Sequence, residues 1–154
     1  MRALLQRVTH ASVSVENKIV GEIADGLLIL LGVTAEDTAA ECEMLAEKIC
    51  KLRMFADEND KTNCSVNDIG GGLLIVSQFT LCADCRKGTR PSFSNAAPPD
   101  EAKRLYELFA DLCRQRVTQV EMGEFGAHMQ VDLCNQGPFT IWLDTDTLKK
   151  PRNQ

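Results

Sequence analysis

The first 33 residues hold three strand-like runs separated only by turn signals, and this opening restricts the fold more than any other feature. Residues 1–15 alternate loosely, with Val8, Val13 and Val15 among polar neighbours, which predicts a long half-buried strand. Asn17-Lys18 is a turn signal and Ile19–Ile23 a second strand; Asp25-Gly26 is a tight hairpin signal before the continuous apolar run Leu27–Val33. Helical spacing appears only twice. Thr34-Ala-Glu-Asp37 matches a capping box ahead of Cys42, Leu45, Ala46, Ile49 and Leu52, predicting a helix that ends near Phe55. Pro98-Pro99-Asp100 opens a second helix that buries Leu105, Leu108, Phe109 and Leu112. Residues 57–72 read as an exposed loop whose Gly70-Gly71-Gly72 end suits a hairpin turn. Leu73–Leu81 (LLIVSQFTL) reads as a buried strand, and Val117–Met122, His128–Cys134 and Phe139–Asp144 as three closing strands. Without a βαβ alternation there is no doubly wound parallel sheet. The expectation is a single α+β domain over residues 1–148: a mostly antiparallel β-sheet or barrel covered by two helices, followed by a flexible basic tail, 149–154.

Composition removes several function classes. The net charge of −5 and isoelectric point near 5.1 give a mean field that repels nucleic acid and anionic membranes, so any RNA contact must be local. The opening MRALLQRVTHASVSV lacks an apolar signal core, and no run of 18 apolar residues occurs, so a cytoplasmic protein without membrane contact is expected. Seven cysteines, at 42, 50, 64, 82, 85, 113 and 134, are an odd number without framework spacing, which fits reduced thiols.

The available chemistry is narrow. A Ser-His-Asp hydrolase needs a histidine base, yet His10 and His128 are the only histidines and Ser77 has no nucleophile elbow around it. Cys82 and Cys85 have C-x-x-C spacing but no second pair to complete a zinc set, and no metal or cofactor is expected. What remains is Ser77-Gln78-Phe79-Thr80 at the end of a buried run. These residues either build a site or satisfy backbone groups at a strand end. The long segment Ala83–Asp100 reads as a site wall. Phe125 is either a core aromatic or a platform for a base. Arg7, among apolar strand residues, must find carboxylate or carbonyl acceptors. Arg86, Lys87 and Arg90 form the one cationic cluster beside the suspected site. Gly137-Pro138 lies within strand-like residues although proline has no N–H for a ladder; it is either a bend or a rigid display of two carbonyls.

Five segments together carry a resemblance: MRALLQRV at the start, SQFTL at 77–81, RPSF at 90–93, GEFGAHMQV at 123–131 and NQGPFT at 135–140. This set, in this order and almost end to end, closely resembles the D-aminoacyl-tRNA deacylase family. Gln136 stands where aspartate is more usual and Phe139 where valine is common; Ser77, Phe79 and Asn135 favour the D-specific branch over a sister editing family. The resemblance implies hydrolysis of the ester between a D-aminoacyl group and the 3′ end of tRNA, by a homodimer without cofactor. It further implies a cis Gly137-Pro138 pair inserted into the partner's site as a chirality filter, braced by Arg7. Backbone N–H groups of Phe79 and Thr80 would stabilise the oxyanion, with Ser77 and Gln78 in the same catalytic stretch. Phe125, Met129 and Asn135 would help bind substrate, and the RNA's own 2′-OH would assist. The alternative from another class is a non-catalytic, nucleic-acid-associated regulatory protein on the same fold.

Overall fold

In the computed structural model, which describes residues 1–152, the chain runs β1 (Arg2–Val15), β2 (Lys18–Ile23), β3 (Gly26–Gly32), α1 (Ala39–Lys51), β4 (Phe55–Ala56), β5 (Thr62–Cys64) and β6 (Gly72–Ser77). It continues through α2 (Pro99–Arg114), β7 (Gln119–Met122), β8 (Gln130–Asp144) and α3 (Thr145–Leu148). Residues 2–8 of β1 lie between β3 and β8, and residues 11–14 lie between β2 and β8, all antiparallel. The register against β8 skips Thr9, so β1 is bulged there.

Two pairings are parallel, β3 with β6 and β6 with β7, and α1 and α2 sit in the two crossovers. The sheet is therefore mixed, with its antiparallel part built on the meander. The sequence reason is visible in LLILL and LLIV: strands apolar on both faces suit burial on both sides, as parallel strands require. Leu27, Ile29, Leu31, Leu73 and Ile75 pack against the helices, while Leu28, Leu74 and Val76 pack on the other face with Val8, Val13 and Ile23. Each such buried side chain contributes roughly 1.5–3 kcal/mol. The second cluster exists because β2 curls over toward β7, nearly closing the sheet. A Cβ at Gly21 would lie 2.7 Å from the Met122 carbonyl oxygen, so only glycine permits that approach.

Several elements differ from expectation. The capping box is Thr38 with Glu41, four residues later than the Thr34–Asp37 match: Thr34 and Asp37 close a turn ahead of the helix, with the Thr34 N–H on the Asp37 carboxylate (2.6 Å), which also accepts from the Met1 ammonium (2.5 Å). The expected loop 57–72 contains β5, which pairs back on β4 just before the loop, and Gly72 starts a parallel strand instead of closing a hairpin. The strand expected through Leu81 stops at Ser77. The last two strand candidates are one element, β8. Of the tail read as 149–154, Lys149 donates to the Glu41 carboxylate; Asn153 and Gln154 lie outside the described residues. Among the described residues no helix is long and apolar enough to cross a membrane.

Candidate active site

β6 pairs with β7 only over Gly72–Ile75, and its ladder with β3 closes with the Gln78 N–H on the Leu31 carbonyl, at 2.8 Å. The chain then tightens into a 3₁₀ turn, Phe79–Cys82, with Leu81 N–H on the Gln78 carbonyl (3.2 Å) and Ala83 N–H on that of Thr80 (3.1 Å). The first N–H groups of such a turn have no internal partner. Those of Phe79 and Thr80 accordingly have none among the described residues. Arg2, beside Asp144, donates through Nη1 to the Leu81 carbonyl (2.8 Å) and anchors the far end of the turn. Gln78 Nε2 donates to Thr80 Oγ1 at 2.5 Å, so the threonine hydroxyl faces an amide and not a base. Phe79 is 54% exposed and meets Phe93 edge-to-face, 5.0 Å between centroids.

The opposite wall follows β7. The Ile75 carbonyl accepts both the Gly123 N–H (3.0 Å) and the buried Tyr106 hydroxyl (2.8 Å), which fastens the two parallel strands where they run into the site. Burial keeps that hydroxyl protonated, pushing its pKa far above the ordinary phenol value. The Tyr106 ring lies 5.9 Å from that of Phe125. A third wall comes from small residues, Ala96, Ala97, Pro99 and Ala102, with the Ala97 N–H on the Val33 carbonyl at 3.0 Å. Together they enclose a cavity of about 550 Å³ into which Ser77, Gln78, Phe79, Phe125, His128 and Met129 also face.

A second group forms elsewhere on the molecule. Between the pairs Val8–Asn135 and Gln6–Thr140, the residues Gln136, Gly137, Pro138 and Phe139 stand opposite Arg7 alone. The proline is thereby lifted out of the ladder, which resolves its presence in a strand, and the Gly137–Pro138 bond is cis. The Asn135 amide ties the neck of this loop by donating to the carbonyls of Arg7 (2.9 Å) and Phe139 (3.0 Å). The Arg7 guanidinium donates to the carbonyls of Gln136 (3.1 Å) and Met54 (2.8 Å) and lies 4.0 Å from the Phe139 ring centroid. Residues 135–138 are exposed, and none of them lines the cavity.

A model of the family described as D-Tyr-tRNA(Tyr) deacylase matches residues 4–144. The chain belongs to this family. The deacylase relatives include a D-aminoacyl-tRNA deacylase of Thermosipho africanus, 59% identical over 94% of this chain and 97% of its own length. Another, from Roseiflexus castenholzii, is 54% identical over 100% of this chain and 98% of its own. Among solved structures, a c-Myc DNA Unwinding Element Binding Protein is 42% identical with a TM-score of 0.88, covering 94% of this chain and 98% of its own. A probable eukaryotic D-amino acid tRNA deacylase, 17% identical, shares the fold at a TM-score of 0.81 over 92% of this chain and 97% of its own.

Within this deacylase chain, Ser77, Gln78, Phe79, Phe125 and Met129 meet in one cavity and Thr80 flanks it. Arg7, Asn135, Gly137 and Pro138 form the separate loop. Sequence reasoning missed His128 as a lining residue, having weighed it only as a triad base, and missed Tyr106. The clustered small residues of Ala96-Ala97-Pro98-Pro99 were a usable signal for a wall that leaves room. Cys82 is buried with Sγ 3.5 Å from the Val33 carbonyl, whereas Cys85 is exposed, so the C-x-x-C pair is split between two environments. Arg86, itself exposed, is paired with Asp84, whose carboxyl it holds down to about 2, leaving Lys87 and Arg90 as the cations of that loop without an ion pair among the described residues.

Proposed function

We propose that the protein hydrolyses the ester joining a D-aminoacyl group to the terminal adenosine of tRNA, as a chiral proofreading step in the cytoplasm. The observation that carries this is the pair of N–H groups of Phe79 and Thr80, unpartnered among the described residues, beside a cavity in which the Thr80 hydroxyl is held by an amide. Such donors suit an oxyanion that forms as water attacks an ester carbonyl, and one of them is commonly worth about 10²–10³ in rate. The carbon–oxygen bond to the ribose breaks, and the proton from water goes to the departing ribose oxygen. In this reading the adjacent 2′-OH of the RNA relays that proton, since Thr80 Oγ1 is engaged by Gln78 and is not activated.

Chirality is read by a second copy of the chain. Gly137 and Pro138 stand exposed and away from their own protomer's cavity, so they complete a site only in a partner. β8 is suited to pairing: among the described residues its outer edge is unpaired, and it exposes Leu133 (37%) and Trp142 (49%). Backbone carbonyls placed at the α-carbon accept the ammonium of a D-residue and occupy the space an L side chain needs. Glycine has no side chain to exclude, so glycyl-tRNA is also a substrate. The net charge of −5 is compatible with this substrate because only the 3′ end enters, with Lys87 and Arg90 left free for phosphates.

The test is the hydrolysis of matched D-tyrosyl-tRNA and L-tyrosyl-tRNA by purified protein, with and without a chelator. Loss of the D-ester alone, unaffected by chelator, is expected; inertness toward both would sink the proposal. A Thr80→Ala variant should keep substantial activity. The second reading, a non-catalytic nucleic-acid-associated regulator, draws on the likeness to the 42% identical c-Myc DNA Unwinding Element Binding Protein and would be favoured by that inertness.

A further inference from the structure

A smaller cavity of about 290 Å³ adjoins the first, and His128 and Met129 form walls of both. Its other lining residues are Ser14, Glu16, Asn17 and Gln130. Every one of these four carries a hydrogen-bonding side chain, and none is cationic. With the Glu16 carboxylate at its rim the groove disfavours a phosphate, while the donor and acceptor edge of a base is suited. The groove sits where the β1–β2 turn meets the start of β8, Ser14 being the ladder partner of Gln130. A register shift between Val13 and Ser14 alters the side-chain alternation of β1 just before the turn.

The turn supplies an independent indication. Glu16 and Asn17 both have positive φ, 50° and 64°. Asparagine and glycine adopt this conformation readily, and two-residue hairpins strongly prefer them. Glutamate is a poor choice there on backbone grounds, so the backbone does not account for a carboxylate at this position. That carboxylate stands exposed at the rim of a groove continuous with the site.

We propose that this groove is a subsite for the nucleotide preceding the terminal adenosine, with Glu16 accepting a hydrogen bond from the exocyclic amino group of a cytosine. The proposal rests on the deacylase reading, in which the aminoacyl-adenosine fills the larger cavity and the RNA strand must leave it. His128, shared by both cavities, presents a ring between the two bases, and Asn17 and Gln130 complete the hydrogen-bonding edge. Carboxylates accept from cytosine N4, whereas uracil presents a carbonyl oxygen there and would be opposed by Glu16.

The experiment uses three esters of D-tyrosine: on adenosine alone, on the trinucleotide C-C-A and on C-U-A. The full-length protein should cleave the C-C-A ester with a kcat/KM roughly tenfold above that of C-U-A, within the range one base contact discriminates. Glu16→Gln, whose amide can donate to uracil, should bring the two within about twofold while leaving the adenosine ester at the wild-type rate. Glu16→Asn, suited to the turn, controls for folding and should lose the preference as well. Equal rates for C-C-A and C-U-A in the wild type, or an unchanged ratio in Glu16→Gln, would overturn the subsite. Failure to cleave any of the three esters would instead overturn the deacylase reading beneath it.

Discussion

A methyl group added at Gly32 is the smallest change that reaches the proposed oxyanion turn. Its Cβ would lie 3.0 Å from Leu81 Cβ, 3.1 Å from the Gln78 carbonyl oxygen and 3.3 Å from Cys82 Sγ. Ordinary contacts lie near 3.5–4.0 Å, so the turn must retreat by about half an ångström. It cannot do so freely, because the Gln78 N–H is bonded to the adjacent Leu31 carbonyl at 2.8 Å and Arg2 holds the Leu81 carbonyl at 2.8 Å. Overpacking of this kind costs about 1–3 kcal/mol of stability. Complete loss of one oxyanion donor costs about 10²–10³ in kcat, so shifting two donors partway should lower kcat roughly ten- to a hundredfold. KM should change little, since the Phe125 wall is untouched. Urea denaturation of Gly32→Ala, beside steady-state deacylation of D-tyrosyl-tRNA, separates the two effects. A folded Gly32→Ala with wild-type kcat would refute the assignment of the Phe79–Thr80 turn to the oxyanion.

Arg7→Lys keeps a charge but loses the planar fork that meets two carbonyls and the Phe139 ring. It should cost about 1–2 kcal/mol in urea denaturation and reduce the D over L preference in deacylation. Tyr106→Phe leaves the Ile75 carbonyl its Gly123 donor, so a stability loss of about 0.5–1.5 kcal/mol is expected, with KM rising severalfold as the Phe125 wall loosens. The Glu41 carboxyl is held down to about 2, first by Lys149 and then by Thr38. Because that value is depressed, the stabilisation is complete above the unfolded carboxyl value of 4.5 and is lost as pH falls from there toward about 2. Acid titration of the unfolding free energy should show a loss on the order of 3 kcal/mol in this window from Glu41, and a smaller one in Lys149→Met.

The sequence revealed elements more readily than their partners. The meander was legible because Asp25-Gly26 is a strong local signal and strands joined by short turns pair with each other. The parallel pairings were not foreseen, although the two-faced apolarity of residues 27–31 and 73–76 was a sign of them. The capping box was misplaced because two S/T-x-x-D/E matches stand four residues apart, and Asp37 is drawn to a partner far along the chain. At the site, the motifs named the right stretches without the geometry that divides them. Nothing local says that SQFT leaves β6 for a 3₁₀ turn once the last rung to β3, the Gln78 N–H on the Leu31 carbonyl, is made. Tyr106 looked like one more apolar position on α2, and only its hydroxyl contacts distinguish it.

The pairing of β1 with β8 has a consequence for the order in which the molecule can be made. Arg2 is matched with Asp144 and Gln6 with Thr140, contacts between strands far apart in the sequence. Closing such a loop is slow and yields nothing until both ends exist. During synthesis β1, β2 and β3 can assemble early, but β1 must wait with one flank open until β8 has emerged. The loop proposed to judge handedness belongs to that last strand, while the turn proposed to cleave the ester belongs to the middle of the chain. A chain stopped short of residue 130 would thus carry the cleaving turn and no means of choosing its substrate, so the order of synthesis makes discrimination the final property acquired.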